Sequence, residues 1–508
     1  MEPSIVKSDS IVVFKSHRVV LPHGVASAAV VTKNGQIVAV KGYDDSRIAL
    51  GINDEYQPIS VIDLGNLVLS PGVVDSHVHV NEPGRTHWEG FTTATRAAAA
   101  GGVTTIVDMP LNSIPPTTTK ENFLEKFTAA SDNVFVDVAF WGGIIPGNQD
   151  ELIPLLREGV RGFKCFMCPS GVDEFPQAKE EDLEIAFQRL QNSSTTILFH
   201  AEVECCSAVS TNTEEIPSVY QGFLQSRPGV MEVEAIRLVI ELCRRYRVQS
   251  HIVHLSCAEA IPLIAQAKKD GVPITVETCP HYLTLSAEEV PVKATQFKCC
   301  PPIRDKSNQD LLWSGLLDGT IDLVVSDHSP APQDLKCVDT GDFMKAWGGI
   351  SSLQLGTFLK KKQIMEEMEK VDNGKTTIQI SYTLKVWGGI SSLQLVLPLL
   401  WTFGHPKGLS FTDLSRFLSY NTAKLARLHH RKGSIAVGMD ADFVIWNPDE
   451  QITVTPEMLH FRHKLSPYLG KVLNGRVVMT VLRGQIVFNN ETFVFDKPQG
   501  ILLAEPLE

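Results

Sequence analysis

The sequence predicts an α/β protein: a (β/α)8 barrel of the TIM type, carrying a small β-sandwich domain formed by both chain termini. Three observations predict it. Eight short apolar runs alternate with stretches of helical periodicity through the middle of the chain. Both ends instead alternate β-branched with polar residues. Finally, metal-binding residue types sit where the apolar runs end, and a parallel barrel brings its C-terminal strand ends together on one rim.

The first 66 residues read as strands: SIVVFKSHRVV, then AAVVTKNGQIVAVKGYD with Asn34-Gly35 as a hairpin turn. Residues 433–508 repeat that texture in GMDADFVIWNPDE and GKVLNGRVVMTVLRGQIVFNNETFVF. Between them, residues 67–432 hold the eight runs: LVLSPGVVDSHVH, VTTIVDMP, VFVDVAFWGG, GFKCFM, TTILFHAE, HIVHLS, PITVETCPHY and IDLVVSDHSP. The stretches FTTATRAAAAGG, DLEIAFQRLQN and GVMEVEAIRLVIELCRRY have the apolar spacing of amphipathic helices. Continuous apolar strands, each followed by a helix, are the pattern of a parallel sheet covered on both faces. An open doubly wound sheet is disfavoured, because no G-x-G-x-x-G follows the first strand.

One element breaks the pattern. WGGISSLQL occurs at 347–355 and again at 387–395. The intervening 356–386 stretch, GTFLKKKQIMEEMEKVDNGKTTIQISYTLKV, is highly charged and poor in core-forming residues. The expectation is that one copy occupies the native place while the other loops out with 356–386. Nothing else recurs at that period, so a repeat architecture is excluded.

Composition bounds the function. With 508 residues, 43% hydrophobic and 20% charged, the chain is an ordinary globular protein with room for more than one domain. A net charge of −12 argues against a nucleic-acid or anionic-membrane partner. MEPSIVKSDSIVVFKS lacks the apolar core of a secretory signal, and no run of about 18 apolar residues follows, so a cytoplasmic location is expected. Ten cysteines are too sparse for a disulfide scaffold. Cys165 and Cys168 form a C-x-x-C with no second pair at zinc-finger spacing, and reduced thiols are expected throughout.

The ligand-type residues are His77, His79, Lys164, His200, His254 and Asp327. Two histidines one residue apart on an extended segment face the same side and can grip one metal. A lysine cannot ligate as an ammonium, but a buried one sheds its proton readily. Lys164 can then take up carbon dioxide as a carbamate whose two oxygens bridge two metals. His200 and His254 would complete the second metal's shell, with Asp327 on the first. Paired metals about 3.5–4 Å apart hold a bridging hydroxide that is nucleophilic near neutral pH. Asp327 can accept its proton and pass it to the leaving nitrogen. Zinc suits these ligands, with cobalt or manganese open. His281 and His328 are candidates for orienting the ligands, while His17, His23, His87, His429 and His430 read as ordinary residues.

These residues resemble the cyclic amidohydrolases of the amidohydrolase superfamily, a group of dihydroorotases, hydantoinases or dihydropyrimidinases, and allantoinases. Within it the chain most resembles the allantoinases, those of plants in particular. The matching stretches are HVHVNEPGRTHWEGF, DMPLNSIPPTTT, GFKCFM, TCPHYL, SDHSP and WGGISSLQ, with 356–386 outside the resemblance. It implies a binuclear centre held by His77, His79, carboxylated Lys164, His200, His254 and Asp327. It also implies a small-molecule substrate, allantoin, opened to allantoate, and a homo-oligomer. Plant relatives make the endoplasmic reticulum the alternative compartment. Dihydroorotases carry H-x-H-x-R, whose arginine holds the substrate carboxylate; this chain has Asn81 there, suited to a neutral ring with amide groups. Arg85, nearby, is a cation able to swing in, and Trp88 and Phe91 either close the pocket or pack beneath the loop. A hydantoinase or dihydropyrimidinase, a dihydroorotase-like enzyme and a non-catalytic scaffold of the same fold remain the alternatives.

Overall fold

A computed structural model of the protein describes residues 11–45, 59–204, 217–347 and 389–507. The chain opens with β1 (Ile11–Leu21), β2 (Gly24–Lys33) and β3 (Gln36–Gly42), an antiparallel meander. Asn34 and Gly35 join β2 to β3 with φ of 52° and 80°, the paired positive values of a type I′ hairpin. β4 (Ile59–Asp63) and β5 (Val68–Pro71) then run parallel to β1.

Here the structure departs from the expected single run over 67–79. β5 stays in the terminal sheet, and after Pro71-Gly72 the chain enters the barrel as β6 (Val73–Val78). The break has a steric cause: a Cβ on Gly72 would lie 2.1 Å from Thr104 Oγ1, so only glycine passes that point. β7 (Val103–Asp108) pairs parallel to β6, and β8 (Asp137–Phe140) to β7. Past Trp141 the same segment continues as β9 (Gly142–Gly143), which pairs with β10 (Phe163–Phe166). β11 (Thr196–His200), β12 (Gln249–Ile252), β13 (Ile274–Thr278) and β14 (Leu323–Val324) follow, each parallel to the last.

Counting β8 and β9 as one strand, these are the eight apolar runs. Their free edges meet: Val78 bridges His328 in parallel, and the Asp75 carboxylate accepts the Ser326 amide at 3.3 and 3.2 Å. The architecture is a (β/α)8 barrel. Every residue of β6, β7, β10 and β11 is buried, as strands covered on both faces must be. The covering helices include Phe91–Ala100, Glu180–Leu190 and Val230–Tyr246, the last burying Ala235, Ile236, Val239, Ile240 and Cys243 on one stripe. No helix among the described residues is long and apolar enough to cross a membrane.

The chain returns to the first sheet as β15 (Phe443–Thr453), β16 (Val472–Leu482), β17 (Gln485–Asn489) and β18 (Thr492–Phe493). The resulting nine-stranded sheet runs β18-β17-β16-β15-β5-β1-β2-β3, with β4 beside β1. Its own core joins Val12, Phe14 and Val30 to Phe443 and Ile445. A buried charge cluster ties this sheet to the barrel. Lys432 Nζ lies 2.6 Å from Asp137 on β8, 2.9 Å from Asp440 and 2.6 Å from Asp442. Removing that ammonium takes a counter-ion from three buried carboxylates, leaving Asp137 to Arg483, Asp440 to Arg431 and Asp442 to the Arg483 amide, so Lys432→Met is expected to cost about 3 kcal/mol in urea unfolding.

Of the duplicated element, Trp347 of the first copy and Gly389–Leu395 of the second are described. Ile390 bridges His328, Ser392 Oγ donates to Ser326 O at 3.0 Å, and Gly101 packs on the Gln394 backbone. The expected looped-out copy and 356–386 lie outside the described residues. We propose that this excess is dispensable. Deleting 356–395, which yields the same polypeptide as deleting 348–387, leaves one WGGISSLQL leading into Val396. Since a shorter closed loop costs less entropy, the deletion is expected to raise the thermal midpoint by a few degrees and to retain or raise activity. A lower midpoint on calorimetry would count against it.

Candidate metal centre

Five barrel segments deliver the six candidate ligands to one cavity. His77 lies in β6 with His79 just beyond, Lys164 in β10, and His200 ends β11. His254 follows β12 and Asp327 follows β14. All six line the cavity, together with Asn112, Ser170, Cys300, Ser329 and Trp347. The H-x-H pair behaves as its spacing requires: His77 Nε2 and His79 Nε2 lie 3.2 and 3.6 Å from Asp327 Oδ1. The His254 ring sits 5.4 Å from that of His77 and 4.4 Å from that of His200. Lys164 Nζ is buried without a hydrogen-bond partner.

The electrostatics suit a cation. Burial pushes the Lys164 ammonium down to about 8, against the pull of Glu277 and Asp327. Burial likewise lowers His79 to about 4 and takes His200 and His254 well below the usual imidazole range. Neutral imidazoles present lone pairs. Burial works against the Asp327 carboxylate, but the facing His77, His79 and His254 hold it far down the scale. An anionic carboxylate, neutral imidazoles and an orphan amine make a donor set that fits divalent metal. Backbone strain concentrates here too. His254 and Asp327 have φ of 38° and 44°, and Asn81 and Asn112 have 67° and 70°. Non-glycine residues hold such angles only where their surroundings enforce them.

Two carboxylates that the sequence reading passed over hold candidate ligands by hydrogen bonds. Glu277, in β13, places Oε1 2.5 Å from His77 Nδ1 and 3.2 Å from the His254 amide, and Oε2 3.0 Å from His251 Nε2. Burial opposes its charge, yet His77 and His251 hold its pKa down at about 2. Glu202 bonds His200 Nε2 at 2.8 Å and is held by Arg227 Nη1 at 3.0 Å. Their signal was a carboxylate inside, or at the end of, an otherwise apolar strand run.

The remaining expectations divide. His281 comes to Asp327, its ligand atom within 4.8 Å, whereas His328 turns its Nε2 to Glu89 at 3.3 Å. Asn81 is buried but does not line the cavity; its Nδ2 lies 3.5 Å from Pro330 O. Asn112 lines it instead, with Nδ2 3.4 Å from His79 Nδ1. Arg85 is tied by Nη1 to Asn112 O at 2.7 Å and Glu174 Oε1 at 2.5 Å. Trp88 packs under the rim against Trp347, and Phe91 against Phe140. Cys165 and Cys168 are free thiols, as expected.

A β/α barrel with histidines, a lysine and an aspartate at one rim defines a metal-dependent hydrolase of the amide-opening kind. The chain belongs to the amidohydrolase family, whose model matches residues 68–487. It is 45% identical over 497 residues to the allantoinase of Streptomyces avermitilis, covering 98% of this chain and 99% of that one. It is 39% identical over 502 residues to the allantoinase of Arabidopsis thaliana, covering 96% and 90%. Among solved structures, L-hydantoinase (dihydropyrimidinase) from Arthrobacter aurescens superposes with a TM-score of 0.81 at 28% identity, covering 98% and 99%. Family and neighbours imply a divalent metal centre, and the donor set above fits one.

Glu277→Gln tests the orienting role. The variant is expected to bind divalent metal about 10–100-fold more weakly in a chelator competition. The sign of its pH effect also follows. A carboxyl depressed from 4.5 to about 2 adds stability that is present above pH 4.5 and lost as the pH falls toward 2. In metal-stripped protein the substitution should therefore flatten the acid limb of the stability curve below pH 4.5.

Proposed function

We propose that the chain hydrolyses the ring amide of allantoin to give allantoate. The observation that carries this reading is a complete six-residue donor cluster lining one cavity, in a chain 45% identical end to end to an allantoinase. We read Lys164 Nζ, buried without a hydrogen-bond partner among the described residues, as the attachment point of carbon dioxide; the resulting carbamate would add oxygen donors to a centre that would hold two divalent ions, zinc in our reading. His77, His79 and Asp327 would hold one ion, and His200 and His254 the other. When bound, the pair polarises the ring carbonyl and makes water nucleophilic near neutral pH.

The chain's own residues do the rest. Asp327 takes the proton of the attacking water at a carboxylate oxygen and returns it to the ring nitrogen as the C–N bond breaks. Glu277 fixes the His77 ring, and Glu202 the His200 ring, so the ligands do not reorient during the reaction. Lys164 is the only lysine or arginine among the residues lining the described cavity, and Arg85 is engaged by Asn112 and Glu174. A substrate carboxylate would have no free cation to meet, which favours a neutral cyclic ureide over dihydroorotate. A hydantoinase or dihydropyrimidinase is the second reading, favoured by the solved neighbour. A metal-free scaffold is the third; it requires a broken ligand set, and this one is intact. A homo-oligomer in the cytoplasm completes the proposal.

The deciding experiment compares turnover of allantoin, dihydrouracil and dihydroorotate by enzyme loaded with zinc in bicarbonate. Allantoin is expected to be consumed fastest, with allantoate released. Opening of dihydrouracil without allantoin would overturn the assignment. Lys164→Ala is expected to lose bound metal and fall to background activity, and a short carboxylic acid supplied in solution should restore part of both.

A further inference from the structure

Two lysines outside the ligand cluster are buried without a carboxylate. Lys298 is fully enclosed and Lys336 is 6% exposed, and neither forms an ion pair among the described residues. Each ammonium instead donates to a single backbone carbonyl: Lys298 Nζ to Ala346 O at 2.9 Å, and Lys336 Nζ to Gly389 O at 3.0 Å. Burying an ammonium against one amide oxygen is costly, and a methionine would fill the same space at less expense. What the lysines secure is position.

The two carbonyls lie on either side of the stretch 348–388. Ala346 precedes Trp347, whose indole lines the cavity and meets the Trp88 ring at 4.6 Å. Gly389 lies against the Ser329 side chain, where a Cβ would approach Ser329 Cβ to 2.5 Å and Asp327 O to 3.0 Å, and Ser329 lines the cavity too. One dipeptide touches both flanks: the Trp347 amide donates to Leu335 O at 2.6 Å, and Lys336 takes Gly389. The same wall is anchored further on by Ile390 against His328 and by Ser392 Oγ against Ser326 O.

We propose that Lys298 and Lys336 are positioning residues that assemble the Trp347–Ser329 wall of the substrate cavity by pinning the chain on both sides of residues 348–388. This rests on the cavity being the site of a cyclic ureide. The lysines touch no candidate ligand in the hydrogen-bond network, so they govern how the ring is held rather than how metal is held. The expected signature is a change in KM with metal content and kcat preserved.

The test uses the full-length, zinc-loaded protein and the variants Lys336→Met and Lys298→Met. Each is expected to keep the metal content and thermal midpoint of the parent, to hold kcat within about threefold, and to raise KM about ten- to a hundredfold, the loss of one charge-assisted hydrogen bond. An unchanged KM overturns the proposal. So does a fall in kcat and metal content with KM intact, which would make the lysines supports of the metal ligands. Should the methionine variants fail to fold, Gly389→Ala displaces the same wall from its other side; it too must raise KM with metal retained, and an unchanged KM is fatal. If the parent opens a different cyclic amide and not allantoin, the comparison is made on that amide, so failure of the substrate assignment and failure of the clamp remain separate results.

Discussion

A buried amine with nothing to bond is the constraint around which this barrel is organised. Lys164 sits inside β10 with its Nζ enclosed and without a hydrogen-bond partner among the described residues, within the field of the Glu277 and Asp327 carboxylates. In a core built for stability alone such a group is a liability, because desolvating an ammonium costs more than packing its stem returns. The surrounding groups explain why it is kept. His77, His79, His200, His254 and Asp327 turn the same cavity into a set of electron-pair donors, and a deprotonated amine belongs to that set whereas an ammonium does not. The cost at Lys164 and the strain at His254 and Asp327 are therefore one expenditure, met by the barrel and spent at its rim.

Much of this was legible before the structure because parallel strands leave a plain trace. A strand buried on both faces reads as an unbroken apolar run, and its C-terminal end is where a side chain escapes into the rim. His200, His254 and Asp327 each stood at or near such an end, so residue type and place coincided. Glu277 and Glu202 were missed for the converse reason. Each carries its role through a ligand: Glu277 bonds the far nitrogen of His77, and Glu202 holds His200 with Arg227 behind it. The partners of Glu277 come from β6 and β12, far apart in sequence, and no local spacing marks that convergence. Asn81, expected at the substrate, has a left-handed backbone and a contact with Pro330, while Asn112 lines the cavity; neither the backbone angle nor that contact leaves a trace in the H-x-H-x-N spacing.

The boundary between the two parts of the chain was similarly half visible. The run over 67–79 carries apolar residues on both sides of its Pro-Gly pair, and apolarity does not distinguish a strand of the terminal sheet from a strand of the barrel. What divides it is the passage of Gly72 beside Thr104, a tertiary contact with no local signature beyond the Pro-Gly pair. The sequence texture at both ends did forecast that they would share a sheet, since strands with one solvated face alternate where barrel strands do not. It did not forecast Lys432, whose three carboxylates arrive from β8 and from the residues just before β15.

The buried-lysine arrangements clarify one another. Lys432 sits among carboxylates, so its charge is kept and it joins two parts of the fold. Lys164 lies within the field of its carboxylates without a hydrogen bond to either, so burial prevails and its charge is labile. Lys298 and Lys336 form a further case: burial pushes them down to about 7 and about 8, and among the described residues each has a single backbone carbonyl and no carboxylate, enough to fix a backbone and too little to make a rigid ionic core. Directional but modest, such contacts suit a wall that must be placed accurately. Held from 335–336 and from 298, the backbone at Ala346–Trp347 and at Gly389 keeps its register with Asp327 and Ser329.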